Sequence, residues 1–227
     1  MAPSAAISRP VRIGPEQLPG ELTRVAAALG LVIFAHGSGS GRLSPRNRLV
    51  ADVLHGYRLA TLLFDLLTDA EAGDRAHSFD IPLLGDRLAQ ALAWQREQPD
   101  VGRLPVGLFG ASTGAAAALC AAAAPAAAVA AVVSRGGRPD LAAGQLARVR
   151  APTLLIVGAC DTEVLALNRQ AMRAMRCKTR LELVPGATHL FGEPGALETV
   201  AHLTGQWFAT HLASATPPWP NAERPRP

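Results

Sequence analysis

The sequence predicts an α/β fold in which a mostly parallel, doubly wound sheet carries helices on both faces. Short apolar runs of strand length alternate with segments of helical periodicity, and this alternation is typical of parallel α/β sheets. The apolar runs are nearly continuous, which indicates strands that are buried on both faces. The 227 residues suffice for one domain with a sizeable core, and we expect that domain to span residues 1–213.

Each expected element follows from a local signal. The predicted strands lie at 11–13, 21–25, 31–35, 59–64, 104–109, 128–133, 152–157 and 180–184. The predicted helices lie at 46–55, 82–98, 115–124, 141–149, 162–176 and 194–211. Ser44 and Pro45 mark a helix start, because serine caps helices and proline suits the first helical position.

Three segments are expected to be irregular. Turns at Gly14-Pro15 and Pro19-Gly20 should separate the two weak leading strands. The polar segment 66–80 is predicted to be a long connection, either functional or mobile. Residues 214–227 are rich in proline and are predicted to form a disordered tail.

The charge pattern argues against a nucleic-acid partner, although the net charge is +4. Almost every basic residue is an arginine, and Lys178 is the only lysine. No basic helix and no interleaving of basic with aromatic residues is present, and aromatics make up 4% of the chain. Few side chains are therefore available to stack on bases, and we expect no nucleic-acid binding.

A membrane span and a metal site are also disfavoured. The nearly uncharged stretch 111–133 is split by Pro125, so it predicts a helix followed by a strand rather than a membrane span. The first residues lack the apolar core of a signal peptide. Cys120, Cys160 and Cys177 show neither a Cys-x-x-Cys motif nor zinc-ligand spacing, so we expect no metal and a reducing cytoplasm.

A Gly-Ala-Ser-Thr-Gly motif at 110–114 lies between a predicted strand and a predicted helix. A serine at the apex of a tight turn from strand to helix is the context of a nucleophile elbow. Side chains at 110 and 114 would collide with neighbouring elements, and Ser112 is expected in a strained backbone conformation. Ser112 is therefore a candidate nucleophile, and the alternative is a simple helix N-cap.

A serine hydroxyl needs a base, and the base needs an orienting group. His189 follows the last predicted strand in a loop, and Asp161 follows the strand before it. The order serine, aspartate, histidine is the one expected of an α/β-hydrolase triad. Each has an ordinary alternative: Asp161 could cap the next helix, His189 could be a loop histidine, and Asp65 could replace Asp161 as the acid.

Two backbone amides are candidates for stabilising an oxyanion, those of Thr113 and Ser38. Ser38 lies in a glycine-rich segment at 37–41, which could instead bind phosphate but lacks the Gly-Lys-Ser/Thr ending and the Gly-x-Gly-x-x-Gly spacing. His36 is more suited to bracing this loop than to acid–base work, with substrate contact as a further possibility.

Arg135 follows the strand after the elbow helix, so its guanidinium could reach the pocket and hold a substrate carboxylate in a bidentate manner. The alternatives are an ion pair with Asp140 or a solvated side chain.

Together these motifs resemble the α/β-hydrolase superfamily and, more narrowly, the dienelactone hydrolase family. The motifs are His-Gly-Ser-Gly at 36–39, Gly-Ala-Ser-Thr-Gly at 110–114, Gly-Ala-Cys-Asp at 158–161 and Pro-Gly-Ala-Thr-His at 185–189. The similarity runs from about residue 9 to residue 212. It implies an α/β-hydrolase fold without a cap domain and no cofactor.

By this resemblance Ser112 is the nucleophile, His189 the base and Asp161 the orienting acid, with the amides of Ser38 and Thr113 as the oxyanion hole. Dienelactone hydrolases proper carry a cysteine where this chain has Ser112, and the difference favours a more general ester or thioester chemistry. Relatives of this kind also occur fused to phosphoribosyltransferase-like domains, which these 227 residues are not expected to include.

The resulting expectation is a cytoplasmic serine hydrolase that cleaves small carboxylic esters, lactones or thioesters through an acyl-enzyme. Its expected partner is a small-molecule ester-type substrate, with neither nucleic acid nor membrane as a partner. Two alternatives stay open: a non-catalytic scaffold that binds a ligand or a protein, and an acyltransferase with the same triad.

Overall fold

The computed structural model describes residues 6–125 and 127–215. The expected tail at 214–227 lies outside these ranges except for its first two residues. The strands are β1 Ile7–Ile13, β2 Leu18–Arg24, β3 Gly30–Ala35, β4 Leu59–Phe64, β5 Val106–Ala111, β6 Val129–Arg135, β7 Thr153–Gly158 and β8 Thr179–Val184. The helices are α1 Pro45–Gly56, α2 Asp69–Ala72, α3 Ile81–Glu97, α4 Thr113–Ala123, α5 Thr162–Ala174 and α6 Ala196–Ala213, with 3₁₀ segments at His77–Phe79 and Pro139–Arg148.

The eight strands form one sheet in the order β1-β2-β4-β3-β5-β6-β7-β8. The pairs β1/β2 and β2/β4 are antiparallel, and every later pair is parallel. The central strands are buried on both faces, as their continuous apolar runs indicate. The predicted mostly parallel sheet is therefore confirmed.

Helices cover both faces of this sheet, as predicted. On one face α3, α4 and α5 pack with the long 3₁₀ segment over residues such as Leu108 and Val132. On the other face α1 and α6 pack together over Phe34, Phe109 and Val133. None of the helices in the described ranges is long and apolar enough to cross a bilayer.

Helix α4, which begins directly after the elbow, is built almost entirely from small residues. Ten of its 11 residues are buried, and seven are alanines. Its flank fits closely against α3, where a Cβ on Gly85 would lie 3.5 Å from the Cβ of Cys120. The small side chains therefore let the helix that carries the elbow pack close to its neighbour.

Two expectations about the irregular segments are wrong. Pro19 and Gly20 lie inside β2, because β2 begins to pair with β4 only at Gly20 and the missing N–H of Pro19 is not required there. The 66–80 segment contains α2 and a 3₁₀ turn. Thr68 and Glu71 form a capping box that starts α2.

Smaller differences concern the ends of helices. The elbow helix begins at Thr113 rather than at 115, and the predicted helix at 141–149 is a 3₁₀ segment that starts at Pro139. The last helix begins at Ala196, because Gly195 adopts the left-handed conformation with φ +76°. Between β4 and α3 the structure contains only the four-residue α2 and the short 3₁₀ turn, so no domain is inserted at this connection.

Candidate active site

The turn between β5 and α4 has the strained geometry of a nucleophile elbow. Ser112 has φ 52° and ψ −119°, a region that residues other than glycine rarely adopt. A Cβ on Gly110 would lie 2.4 Å from Ala115 Cα, and one on Gly114 would lie 2.2 Å from the carbonyl oxygen of Ala35. Only glycine fits at either position, as the sequence predicts.

The backbone of Ser112 is fixed by its neighbours, whereas its hydroxyl is not used to cap α4. The Ser112 N–H donates to the carbonyl oxygen of Arg135 at 3.2 Å, and its own carbonyl accepts from the N–H of Arg138 at 3.1 Å. The alternative role of Ser112 as a side-chain N-cap is therefore wrong. Its side chain projects from a backbone held against β6.

Asp161 and His189 meet at the carboxyl ends of β7 and β8. His189 Nδ1 donates to Asp161 Oδ2 at 2.7 Å, and the acid makes no capping bond to α5. The loops that carry them are in contact, since the Cys160 N–H donates to the carbonyl oxygen of Ala187 at 2.9 Å. A carboxylate only accepts, so Nδ1 carries the proton and Nε2 is the nitrogen left to act as a base.

Gly136 connects the elbow to the histidine loop. It follows Arg135, whose carbonyl holds Ser112, and it has φ +50°. A Cβ on Gly136 would lie 3.6 Å from His189 Cε1 and 3.2 Å from the His189 carbonyl oxygen. Ser112 is thus bonded to Arg135, and the loop of His189 lies against Gly136, the next residue. The three candidate triad residues lie at one edge of the sheet.

Glu193 is a residue of this site that the sequence did not reveal. Its Oε1 accepts from the Thr188 N–H at 3.0 Å and from the Thr188 hydroxyl at 2.6 Å. These bonds hold the pKa of Glu193 below its usual value. Glu193 braces the loop immediately before His189, and no motif connects two residues at this spacing.

The two candidate oxyanion donors lie side by side. Thr113 is the first residue of α4, so its N–H has no acceptor within the helix. The Ser38 N–H donates to Thr113 Oγ1 at 3.1 Å, and a Cβ on Gly37 would lie 3.1 Å from Ser112 Cβ. The Ser38 amide can serve an oxyanion by sharing its proton with the Thr113 hydroxyl.

Two side chains, His36 and Asp65, fix the loop after β3. His36 Nδ1 donates to the Gly37 carbonyl at 3.1 Å, and Nε2 accepts from the Leu66 N–H at 2.9 Å. Burial lowers the pKa of His36, which keeps it neutral. Asp65 accepts from the Arg42 N–H at 2.7 Å and pairs with its guanidinium. Both ring nitrogens are occupied, so His36 braces the loop and substrate contact is not supported. Asp65 does not replace Asp161.

Arg135 fits neither of the ordinary alternatives. Asp140 is bound by Arg138 through two bonds of 2.9 and 2.8 Å, so it does not pair with Arg135. Nor is Arg135 solvated, since it is only 8% exposed. Its guanidinium lies 5.9 Å from the ring centre of Phe191. Burial, and then the charge of Arg46, lower its pKa to about 10.

No group of three or more histidine, cysteine or acidic side chains in the described ranges is arranged to hold a metal ion. The side chains that lie at this edge are a serine, an imidazole and a carboxylate, beside backbone amides.

Comparisons of the sequence and of the structure with known proteins indicate the same family. The model of the dienelactone hydrolase family matches residues 68–211. The chain is 50% identical to a dienelactone hydrolase from Anabaena variabilis of known structure, with a TM-score of 0.87 over 92% of this chain and 99% of that one. The structure of Est1E from Butyrivibrio proteoclasticus has a TM-score of 0.75 at 14% identity, over 90% and 99% of the two chains. The α/β-hydrolase fold expected from the resemblance is confirmed.

Two curated relatives from strains of Mycobacterium tuberculosis carry names that assign them provisionally to the phosphoribosyl transferases. Each is 57% identical over 204 residues, which is 90% of this chain and 46% of the relative. This chain therefore spans about half the length of those relatives.

Proposed function

Because the chain belongs to the dienelactone hydrolase family, we propose that it is a serine hydrolase of small carboxylic esters, lactones or thioesters. The observation that carries the proposal is the 2.7 Å hydrogen bond from His189 to Asp161 beside the strained Ser112 elbow. A histidine oriented by a carboxylate next to a serine in this backbone conformation is the arrangement that activates a hydroxyl.

The proposed reaction begins when Ser112 Oγ attacks the substrate carbonyl and His189 Nε2 accepts the hydroxyl proton. Asp161 stabilises the imidazolium that forms. The amides of Thr113 and Ser38 stabilise the tetrahedral oxyanion, and removing one such donor costs about 3 kcal/mol of transition-state stabilisation.

The second half of the reaction releases the acid. His189 returns its proton to the leaving alcohol or thiol, which leaves an acyl group on Ser112. Water then attacks this acyl-enzyme with His189 again as the base, and the acid departs. Every step uses groups of the protein and water, so the proposal requires no cofactor.

The position of the match supports a hydrolase rather than a transferase for these residues. The segment shared with the Mycobacterium tuberculosis relatives covers 90% of this chain, and the superposition on the dienelactone hydrolase from Anabaena variabilis covers 92% of it, so the two matches overlap over most of the chain. Cys120, Cys160 and Cys177 are free thiols, which favours a reducing compartment such as the cytoplasm.

Labelling with a fluorophosphonate probe and hydrolysis of p-nitrophenyl acetate test the proposal. We expect the wild type to be labelled and Ser112→Ala to lose both labelling and at least about 10⁴-fold in kcat, because the nucleophile is removed. Ser8→Ala in β1, at the far edge of the sheet, is the matched control and should behave as the wild type. Equal labelling of Ser112→Ala and the wild type would refute a serine nucleophile at this position.

A further inference from the structure

Asn168 is a polar residue on the buried face of α5. It is fully buried, whereas the other buried residues of this helix are apolar: Val164, Leu165 and Ala171. Burying an amide costs free energy unless hydrogen bonds replace those that it made with water. An apolar side chain would fill the same space without that cost, so the bonds that Asn168 makes must explain its presence.

The amide nitrogen of Asn168 binds two carbonyl oxygens. Nδ2 donates to the Gly137 carbonyl at 3.0 Å and to the Val164 carbonyl at 2.8 Å. Oδ1 is buried and finds no donor among the described residues. An amide nitrogen carries two hydrogens, which suits two acceptors at once. The bond to Val164 stays within α5, whereas the bond to Gly137 reaches residues 136–138, the β6 loop.

The β6 loop holds the elbow. The Arg138 N–H donates to the carbonyl oxygen of Ser112 at 3.1 Å. Gly137 itself has no free space, since a Cβ there would lie 1.9 Å from Ser134 Oγ and 2.6 Å from Ala115 Cβ. The loop therefore contacts β6, the backbone of the nucleophile and the first turn of α4, and a displacement of Gly137 would be passed on to the elbow.

The same loop also contacts the histidine. A Cβ on Gly136 would lie 3.2 Å from the His189 carbonyl oxygen. Asn168 lies on the helix that begins directly after Asp161, seven residues and about two turns further along. One hydrogen bond thus connects the helix of the acid to the loop that contacts both Ser112 and His189.

We propose that Asn168 is a positioning residue of the active site, whose bond to Gly137 fixes the β6 loop and so the distance between Ser112 Oγ and His189 Nε2. The proposal rests on the proposed function and adds to it a residue that does not contact substrate. A misplacement of about 1 Å between reacting groups can lower a rate about 100-fold. The bond should therefore affect the chemical steps.

The alternative is a buried polar residue that only stabilises its own helix, as threonines do in α6. Thr199, Thr204 and Thr210 each donate a hydroxyl proton to the carbonyl oxygen four residues earlier. The bond from Asn168 to Val164 is of this kind. Only the bond to Gly137 distinguishes the asparagine from such a threonine.

Asn168→Thr therefore tests the bond to Gly137 alone, because the threonine hydroxyl can replace the bond to Val164. We expect kcat for p-nitrophenyl acetate to fall about 10-fold. Both chemical steps use His189, so kcat/KM should fall with kcat and KM should change less than about twofold. Asn168→Leu, which removes both bonds, should show the same loss of kcat and a lower melting temperature than Asn168→Thr.

Thr204→Val is the matched control for the loss of a buried hydrogen bond. Thr204 is fully buried on α6, and its hydroxyl donates to the Val200 carbonyl oxygen at 2.7 Å. Thr204→Val should lower the melting temperature and leave kcat unchanged. Equal kcat of Asn168→Thr and the wild type would overturn the proposal. So would an equal loss of kcat in Thr204→Val, because a general loss of stability predicts that result.

Hydrogen exchange at the Arg138 N–H, measured by NMR, follows the β6 loop without catalysis. This amide should exchange at least about 10-fold faster in Asn168→Thr than in the wild type, and Thr204→Val should not change it. Unchanged exchange in Asn168→Thr would overturn the proposal. Absence of fluorophosphonate labelling of the wild type would instead refute the serine mechanism, and the exchange rates would still decide whether Asn168 fixes the loop.

Discussion

Two buried arginines, Arg87 and Arg135, have opposite surroundings. Arg87 is 4% exposed and Arg135 is 8% exposed, so both are removed from water to a similar degree. Arg87 pairs with the carboxylates of Glu71 and Glu16, whereas Arg135 has no carboxylate partner among the described residues. The comparison teaches that burial alone does not reveal whether a charge stabilises the fold, because its partners decide.

Arg87 joins three segments of the chain. From α3 it donates to Glu71 in α2 at 2.8 Å, and it also binds Glu16 in the turn between β1 and β2. The same Glu71 accepts from the Thr68 N–H at 2.8 Å, which fixes the start of α2. The hydrogen bond from Arg87 is the main reason that the pKa of Glu16 lies below its usual value.

The largest expected effect on stability is that of replacing Arg87. Arg87→Met should lower the free energy of unfolding by about 2 kcal/mol, because α3 loses the charged hydrogen bond from the buried guanidinium to Glu71 in α2. Urea denaturation of this variant and of Arg173→Met, an exposed arginine on α5, measures the difference. A loss as small as that of the control would mean that Arg87 is as weakly tied to the fold as Arg135.

Replacing Arg135 should have the opposite sign. Arg135→Met should raise the free energy of unfolding by about 1–2 kcal/mol, because an apolar side chain of similar length does not have to be dehydrated as a charge. The same denaturation assay checks it. A clear destabilisation would show that Arg135 contributes to the fold, and the contrast with Arg87 would disappear.

His36 shows a third way to bury a titratable group, which is to keep it neutral. Of the replacements considered, that of His36 should change stability least. Burial lowers its pKa, so the unfolded chain binds a proton near pH 6.5 that the folded protein does not bind until a lower pH. Stability should therefore fall as the pH decreases from about 7, and it should level off below the folded pKa.

His36→Gln should remove about 1 kcal/mol of the loss in stability between pH 7 and pH 5.5. Burial also lowers the pKa of His55, so part of the pH dependence should persist. His202→Gln, at an exposed histidine, is the control for the loss of an imidazole. An unchanged slope in His36→Gln would contradict a neutral, buried His36.

The elements with strong local signals were predictable from the sequence. The strand at 59–64 has the expected bounds, and Ser44 accepts from the Asn47 N–H as an N-cap should. The proximity of Asp161 and His189 was predictable, although their exact geometry was not, because the carboxyl ends of parallel strands meet at one edge of a sheet.

The contacts that could not be predicted are those in which a side chain binds one of several possible partners. Asp140 was a possible partner of Arg135, but Arg138 lies two residues from it and binds it. The capping box of Thr68 and Glu71, in contrast, is a local signal present in the sequence.

The alanines of α4 have a consequence for conformational entropy. A buried alanine has no side-chain rotamers to lose, whereas a buried leucine loses about 0.5–1 kcal/mol in side-chain freedom. Seven of the 11 residues after Ser112 are alanines, so ordering this helix restricts few side-chain torsions. The strained conformation of Ser112 costs about 1–3 kcal/mol. The helix that follows it loses little side-chain rotamer entropy when it becomes ordered.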